Sequence, residues 1–88
     1  MMPVYNIEVT RRFEKDFLKL DKEAQESILE KVGLLGKNPQ AAKHLRGSLK
    51  GYLSMRAGDY RVIFSIEEKR KTIILEHCGH RKRIYEDI

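Results

Sequence analysis

YLSMRAGDYRVIFSI, Tyr52 to Ile66, is the stretch on which the fold turns. Two runs rich in Tyr, Val, Ile and Phe flank Gly58-Asp59, which signals a β-hairpin, and a leading glycine suits a type II′ turn. That two-residue loop fixes a register in which Ala57 faces Tyr60, Arg56 faces Arg61, Met55 faces Val62 and Ser54 faces Ile63. Strand side chains alternate with period two. One face is then Leu53, Met55, Ala57, Tyr60, Val62, Phe64 and Ile66, almost wholly apolar. The other carries Tyr52, Ser54, Arg56, Arg61, Ile63 and Ser65. Like charges directly opposite one another destabilise a sheet, so the Arg56–Arg61 pair points to an anion held between them, and guanidinium groups suit bidentate phosphate contacts. The competing explanation is that each arginine pairs with a nearby glutamate or points into water.

Working outward, the apolar hairpin face needs a cover, and the preceding segment supplies one. Val4 to Val9 alternates as a strand, with Tyr5, Ile7 and Val9 on one side. Thr10 can cap a helix beginning at Arg11. Phe13, Phe17, Leu18 and Leu20 form its apolar stripe, with Arg11, Arg12, Lys15, Asp16 and Lys19 outside it. Asp21 is a second cap candidate, and Ala24, Ile28, Leu29, Val32 and Leu35 carry a stripe to about Gly36, where Asn38-Pro39 stops the helix. A helical hairpin results. Pro39 to Leu45 reads as a short helical turn, and Gly47 and Gly51 mark a loop containing Lys43, Arg46 and Lys50. Beyond the hairpin, Glu67 to Lys71 is a polar turn. Thr72 to Cys78 is a near-continuous apolar run suited to a central strand, ended by Gly79. His80 to Ile88 is a basic tail that closes on two acids. Helices followed by strands imply an α+β domain: an N-terminal helical hairpin on one face of a small, mostly antiparallel sheet, order β-α-α-β-β-β plus a short tail.

Composition sets limits. The 88 residues make one domain, residues 1–88, which buries roughly 60–65% of its unfolded surface. Hydrophobic residues are 41% and charged residues 35%, a balance that favours a folded chain over a disordered one. The single cysteine, Cys78, leaves no internal disulfide, and no Cys/His set has zinc spacing. A reducing, cytoplasmic setting is expected. No apolar run approaches the ~18 residues of a membrane span, and the N-terminus lacks a signal-peptide core. The net charge of +5 suggests a polyanionic partner.

No nucleotide-binding glycine loop is present, and nothing calls for a metal or cofactor. His77 lies on an apolar strand, as a satisfied core histidine does. Cys78 lies in a strand that reads as buried, and a nucleophilic thiol wants an exposed, electropositive site. The remaining set is directed at phosphate: Arg46, Arg56, Arg61, His80, Arg81, Lys82, Arg83 and Tyr85. Arginines can stabilise charge growing on phosphate oxygens. Histidine is the side chain suited to proton exchange near neutrality, and a tyrosine can stack on a base.

Arg56 before the turn, GDYRVIF (Gly58 to Phe64) and GHRKRIY (Gly79 to Tyr85) resemble the motifs of the RelE toxins of the RelE/ParE superfamily. The helical hairpin and Leu45-Arg46-Gly47 fit in matching order along nearly the whole chain. The resemblance implies a ribosome-dependent mRNA endoribonuclease, the toxin of a type II toxin–antitoxin system. It would cut A-site message by attack of the 2′-hydroxyl on the adjacent phosphate, and a cognate RelB-like antitoxin would inhibit it in a hetero-oligomer. Carried over by motif, Arg61 and Arg81 would stabilise the pentacoordinate phosphate and Tyr85 would stack on or orient a nucleotide. Arg46 and Arg56 would grip the RNA backbone, and Lys50, Lys82 and Arg83 join them as RNA-binding candidates. His80 is a candidate for proton transfer from its chemistry rather than from the resemblance. Well-known members carry lysines on the strand entering the hairpin, one acting as general base; this chain has Leu53, Ser54 and Met55. Lys50, His80 or Tyr85 could substitute. The other readings are a ParE-type gyrase poison and a non-catalytic RNA- or partner-binding module.

Overall fold

The computed structural model describes residues 5–37, 43–44 and 51–84. In chain order the elements are β1 (Asn6–Val9), α1 (Arg11–Leu18), α2 (Lys22–Lys37), β2 (Lys43–His44), β3 (Leu53–Ala57), β4 (Tyr60–Glu67) and β5 (Thr72–His80). The strands form one sheet in the order β1-β5-β4-β3-β2. The architecture is α+β as expected: α1 packs on β5, and α2 packs on β3 and β4.

The hairpin keeps its expected register. Leu53 faces Phe64, Arg56 faces Arg61 and Ala57 faces Tyr60. Gly58 has φ +64°, and Asp59 is not in the positive region, the pattern of a type II′ turn. Nothing stands within 4 Å of a Cβ built on Gly58, so Gly58→Ala should be penalised only by its backbone. We expect a cost of about 1 kcal/mol, read as a lower urea midpoint, with Gly58→Asn losing less.

Both helices start at the expected caps. The Thr10 hydroxyl accepts from the Phe13 amide (3.1 Å) and donates to the Leu75 carbonyl (2.8 Å), tying α1 to β5. The Asp21 carboxylate accepts from the Ala24 amide at 2.9 Å. The core joins Phe13, Ile28 and Leu35 of the helices to Leu53, Ala57, Val62, Phe64, Ile73, Leu75 and Cys78 of the sheet. Two stripe residues lie outside it: Leu18 is 68% exposed and Leu29 60% exposed. Helical spacing places a residue within about one position of the buried arc, but packing decides which side of the boundary it takes.

The sheet differs from the sequence expectation in four respects. The first strand begins at Asn6 rather than Val4, which lies outside the described residues, and it pairs parallel to β5, Asn6 facing Thr72 and Val9 facing Leu75. Lys43–His44, placed in a helical turn from sequence, is instead a short strand antiparallel to β3; the rest of that turn lies outside the described residues. The last strand passes through Gly79 to His80, because Gly79 pairs with Arg61 and His80 with Tyr60. A register shift at Ile63/Phe64 marks a bulge against β5. No helix among the described residues is long and apolar enough to cross a membrane.

Candidate nucleic-acid interface

Three strands place the arginines. Arg56, Arg61 and Gly79 are successive cross-strand partners on β3, β4 and β5, so they form one row on the face turned away from the helices. Arg61 is half-buried, and its Nη1 donates to the Ser54 hydroxyl at 3.1 Å. Ser54 is itself buried, at 1% exposure. Arg56 is exposed, with Nε donating to the Gly58 carbonyl at 3.0 Å. Gly79 leaves the third position of the row without a side chain. A Cβ there would stand 3.4 Å from Ile84 Cδ1, so the chain after β5 folds Ile84 back into that space, where it is buried. The face is therefore less open than alternation implies: Ile63 is buried along with Ser54.

The segment after β5 is one tight turn. The His80 carbonyl accepts from the amides of Arg83 and Ile84, each at 2.9 Å, and the Arg81 amide donates to the Asp59 carbonyl at 2.8 Å. Arg81 is thereby fixed at the tip of the hairpin that carries Arg56 and Arg61. His80 follows a different course. It faces Tyr60, one step from Arg61 along β4, and its ring lies edge-on to Tyr60 with centroids 5.5 Å apart. Tyr60 packs against the helix-side core, so His80 and Arg61 leave the sheet on opposite faces. His80, Lys82 and Arg83 line a shallow cavity of about 330 Å³. Arg46, Lys50 and Tyr85, all candidates from sequence, lie outside the described residues.

Charge is distributed unevenly. Away from the hairpin tip, cations meet carboxylates: Arg70 with Glu8 and Glu67, Lys71 with Glu68, Arg12 with Asp16. Hydrogen bonds from Lys71 and then Tyr5 hold the Glu68 carboxyl below its ordinary range. No ion pair among the described residues engages Arg56, Arg61, Arg81, Lys82 or Arg83. Arg56 and Arg61 stay directly across from one another, with no carboxylate paired to either among the described residues, which suits an incoming anion.

Asp16 was not singled out from sequence. Asp16 of α1 meets the buried His77 through Nδ1 and accepts from the Cys78 amide at 3.3 Å. Helical spacing had put Asp16 outside the packed stripe, yet it reaches β5, 61 residues away in the chain. Burial, then the nearby Asp16 charge, pushes the Cys78 thiol up to about 12, so it stays protonated and unreactive, as its place in a buried strand implied. No group of three or more metal-ligating side chains exists among the described residues.

Residues 7–85 match the family described as the ParE toxin of the type II toxin-antitoxin system, parDE. The chain belongs to this RelE/ParE toxin family. A RelE toxin of Mycobacterium tuberculosis is 31% identical over 83 residues, covering 92% of this chain and 86% of that protein. The RelG toxin of the same organism is 30% identical over 83 residues, covering 92% and 95%. Among solved structures, the toxin–antitoxin complex RelBE2 of M. tuberculosis aligns with TM-score 0.85 at 29% identity, covering 92% of this chain and 95% of the other. The archaeal RelE–RelB complex of Pyrococcus horikoshii aligns with TM-score 0.75 at 27% identity, covering 92% and 99%. This RelE/ParE chain therefore carries, on its family's fold, a row of arginines beside the hairpin tip.

Proposed function

We propose that this type II toxin is a ribosome-dependent mRNA endoribonuclease. One observation carries the reading: Arg56 and Arg61 stand opposite one another with no carboxylate partner among the described residues, while the Arg81 amide is bound at the tip of the same hairpin. In this scheme a message phosphate lies over the arginine row. The neighbouring 2′-hydroxyl attacks phosphorus, its proton goes to a base, and the 5′-oxygen leaves with a proton. The products are a 2′,3′-cyclic phosphate and a 5′-hydroxyl. Arg61 and Arg81 hold the extra negative charge of the pentacoordinate phosphorus, as fixed donors do best where charge develops. Arg56 and Arg46 hold the flanking backbone, with Lys50, Lys82 and Arg83 adding long-range attraction. Tyr85 stacks on or orients a nucleotide. With no lysine at Leu53, Ser54 or Met55, the base candidates are Lys50, His80 and Tyr85, and we favour Lys50 or Tyr85 because His80 leaves the sheet on the face opposite Arg61. The ribosome orders the message, and such positioning supplies several kcal/mol of the barrier.

The two solved relatives described above are complexes with RelB proteins, which supports a cognate antitoxin for this chain, assembled with it as a hetero-oligomer. Its contacting segment should be acidic or amphipathic where it meets the arginine row. Translation of a defined message with purified ribosomes and protein, followed by end mapping, tests the reading. Cleavage with the stated ends is expected, and an intact message at saturating protein overturns it. The ParE name of the matching family supports a second reading, a gyrase poison. Inhibition of purified gyrase by micromolar protein, with the message left whole, would select it. Ribosome or RNA binding that weakens with salt and yields no products would select a binding module.

Ser54 anchors Arg61 in this site. Ser54→Ala should lower cleavage about tenfold, the worth of one hydrogen bond to a charged group, and Ser54→Thr should recover part of the loss. Initial-rate assays on programmed ribosomes check both.

A further inference from the structure

We propose that His80 is the cap of the C-terminal turn, a positioning residue whose unprotonated Nδ1 holds Arg81 at the hairpin tip and whose protonation lets that turn go. His80 Nδ1 accepts from the backbone amide of Lys82 at 3.2 Å, and the His80 carbonyl accepts from Arg83 and Ile84. A side-chain acceptor on the second amide of a turn, with the carbonyl of the same residue accepting the first turn bonds, is the geometry of a helix N-cap. Asn and Asp usually fill that place; an imidazole can do so only through a bare ring nitrogen. The neutral ring must then carry its proton on Nε2. A second proton on Nδ1 would put a donor against the Lys82 amide and abolish the bond. The turn so capped begins with Arg81 and brings Ile84 over Gly79.

Several groups face the ring. Tyr60 of β4 lies against it edge-on. Asp16 of α1, Lys19 at the C-cap of that helix, His77 and Cys78 of β5, and Arg83 of the turn line a cavity of about 300 Å³ together with it. Asp16 is already engaged by His77 and the Cys78 amide. His80 and Arg61 leave opposite faces of the sheet, so the histidine serves the arginine row through the backbone it caps.

The effect on cleavage rests on the endonuclease reading; the cap itself does not, and two readouts keep them apart. The first needs no RNA. In ¹⁵N spectra of the full chain, His80 should show a bare Nδ1 when neutral. On acidification the Lys82 amide should shift, and the Arg81 amide, bound to Asp59, should exchange faster. His80→Asn, whose side-chain oxygen replaces Nδ1, should abolish the Lys82 shift and keep the Arg81 amide protected. His80→Ala should speed Arg81 exchange about fivefold, a typical loss for one cap. The second is cleavage: His80→Ala should lose about fivefold, His80→Asn should recover that loss, and the fall in rate that accompanies release of the turn on acidification should vanish in His80→Asn. A proton on Nδ1 of the neutral ring, or equal Arg81 exchange in both variants, overturns the cap. A rate as low in His80→Asn as in His80→Ala assigns the ring to proton transfer and overturns the positioning role. Wild-type protein that cuts nothing sinks the endonuclease reading, and the spectra still decide the cap.

Discussion

Arg61→Ala with Arg81→Ala should bring message cleavage to background and abolish growth arrest on expression. One preorganised donor aimed at developing charge is worth about 10²–10³ in rate, so Arg61→Ala should fall at least about a hundredfold by itself. Arg61 has the better hold of the two: it is half-buried, and Nη1 is steadied by the Ser54 hydroxyl at 3.1 Å. Arg81 depends on its backbone, through the amide bound to Asp59. Arg61→Lys should fall between wild type and alanine, because an ammonium keeps the charge without the planar fork. Initial rates on programmed ribosomes give the ranking, and circular dichroism establishes that each variant is folded. Equal cleavage by the double variant and the wild type would remove the arginine row from the chemistry.

Phe64→Ala should cost about 3–5 kcal/mol. Phe64 is fully buried in β4 and belongs to the cluster containing Phe13, Ile28, Ile73 and Leu75. A domain of 88 residues has a total stability of about 4–13 kcal/mol, so the variant should be partly or wholly unfolded at 37 °C. A midpoint fall of about 4–8 °C per kcal/mol makes the loss plain in a thermal melt. Leu18→Ala serves as contrast: at 68% exposure it should stay within about 0.5 kcal/mol of wild type. Comparable losses from the two would mean that the core lies elsewhere.

The hairpin was legible to the residue because its determinants are local. Gly58-Asp59 sets the turn, the turn sets the register, and the period of two sets the faces; Arg56 opposite Arg61 follows from these alone. The helix starts at Thr10 and Asp21 were legible for the same reason, since a cap needs only its next three residues. What the sequence concealed depends on pairing across long separations. Asp16 reads as a surface residue because a carboxylate outside an apolar stripe normally meets water, and only the approach of α1 to β5 reveals His77 as its partner. The parallel pairing of β1 needs knowledge of which sheet edge remains free. The face of His80 depends on how β4 and β5 align; its motif placed it beside the arginines in sequence, but the register turns it toward Tyr60. Ser54 was on the arginine face from the outset, yet its bond to Arg61 depends on a side-chain rotamer that no spacing rule supplies.

The parallel ladder between β1 and β5 joins residues 6–9 to residues 72–75. During synthesis the amino-terminal strand must wait, unpaired, until almost the last part of this sequence has left the exit tunnel. The middle strands and helices can collapse earlier, but the arginine row lacks Gly79 and Arg81 until β5 joins β4. A nascent chain that stalls before residue 72 therefore has neither its edge strand paired nor the third position of the arginine row in place.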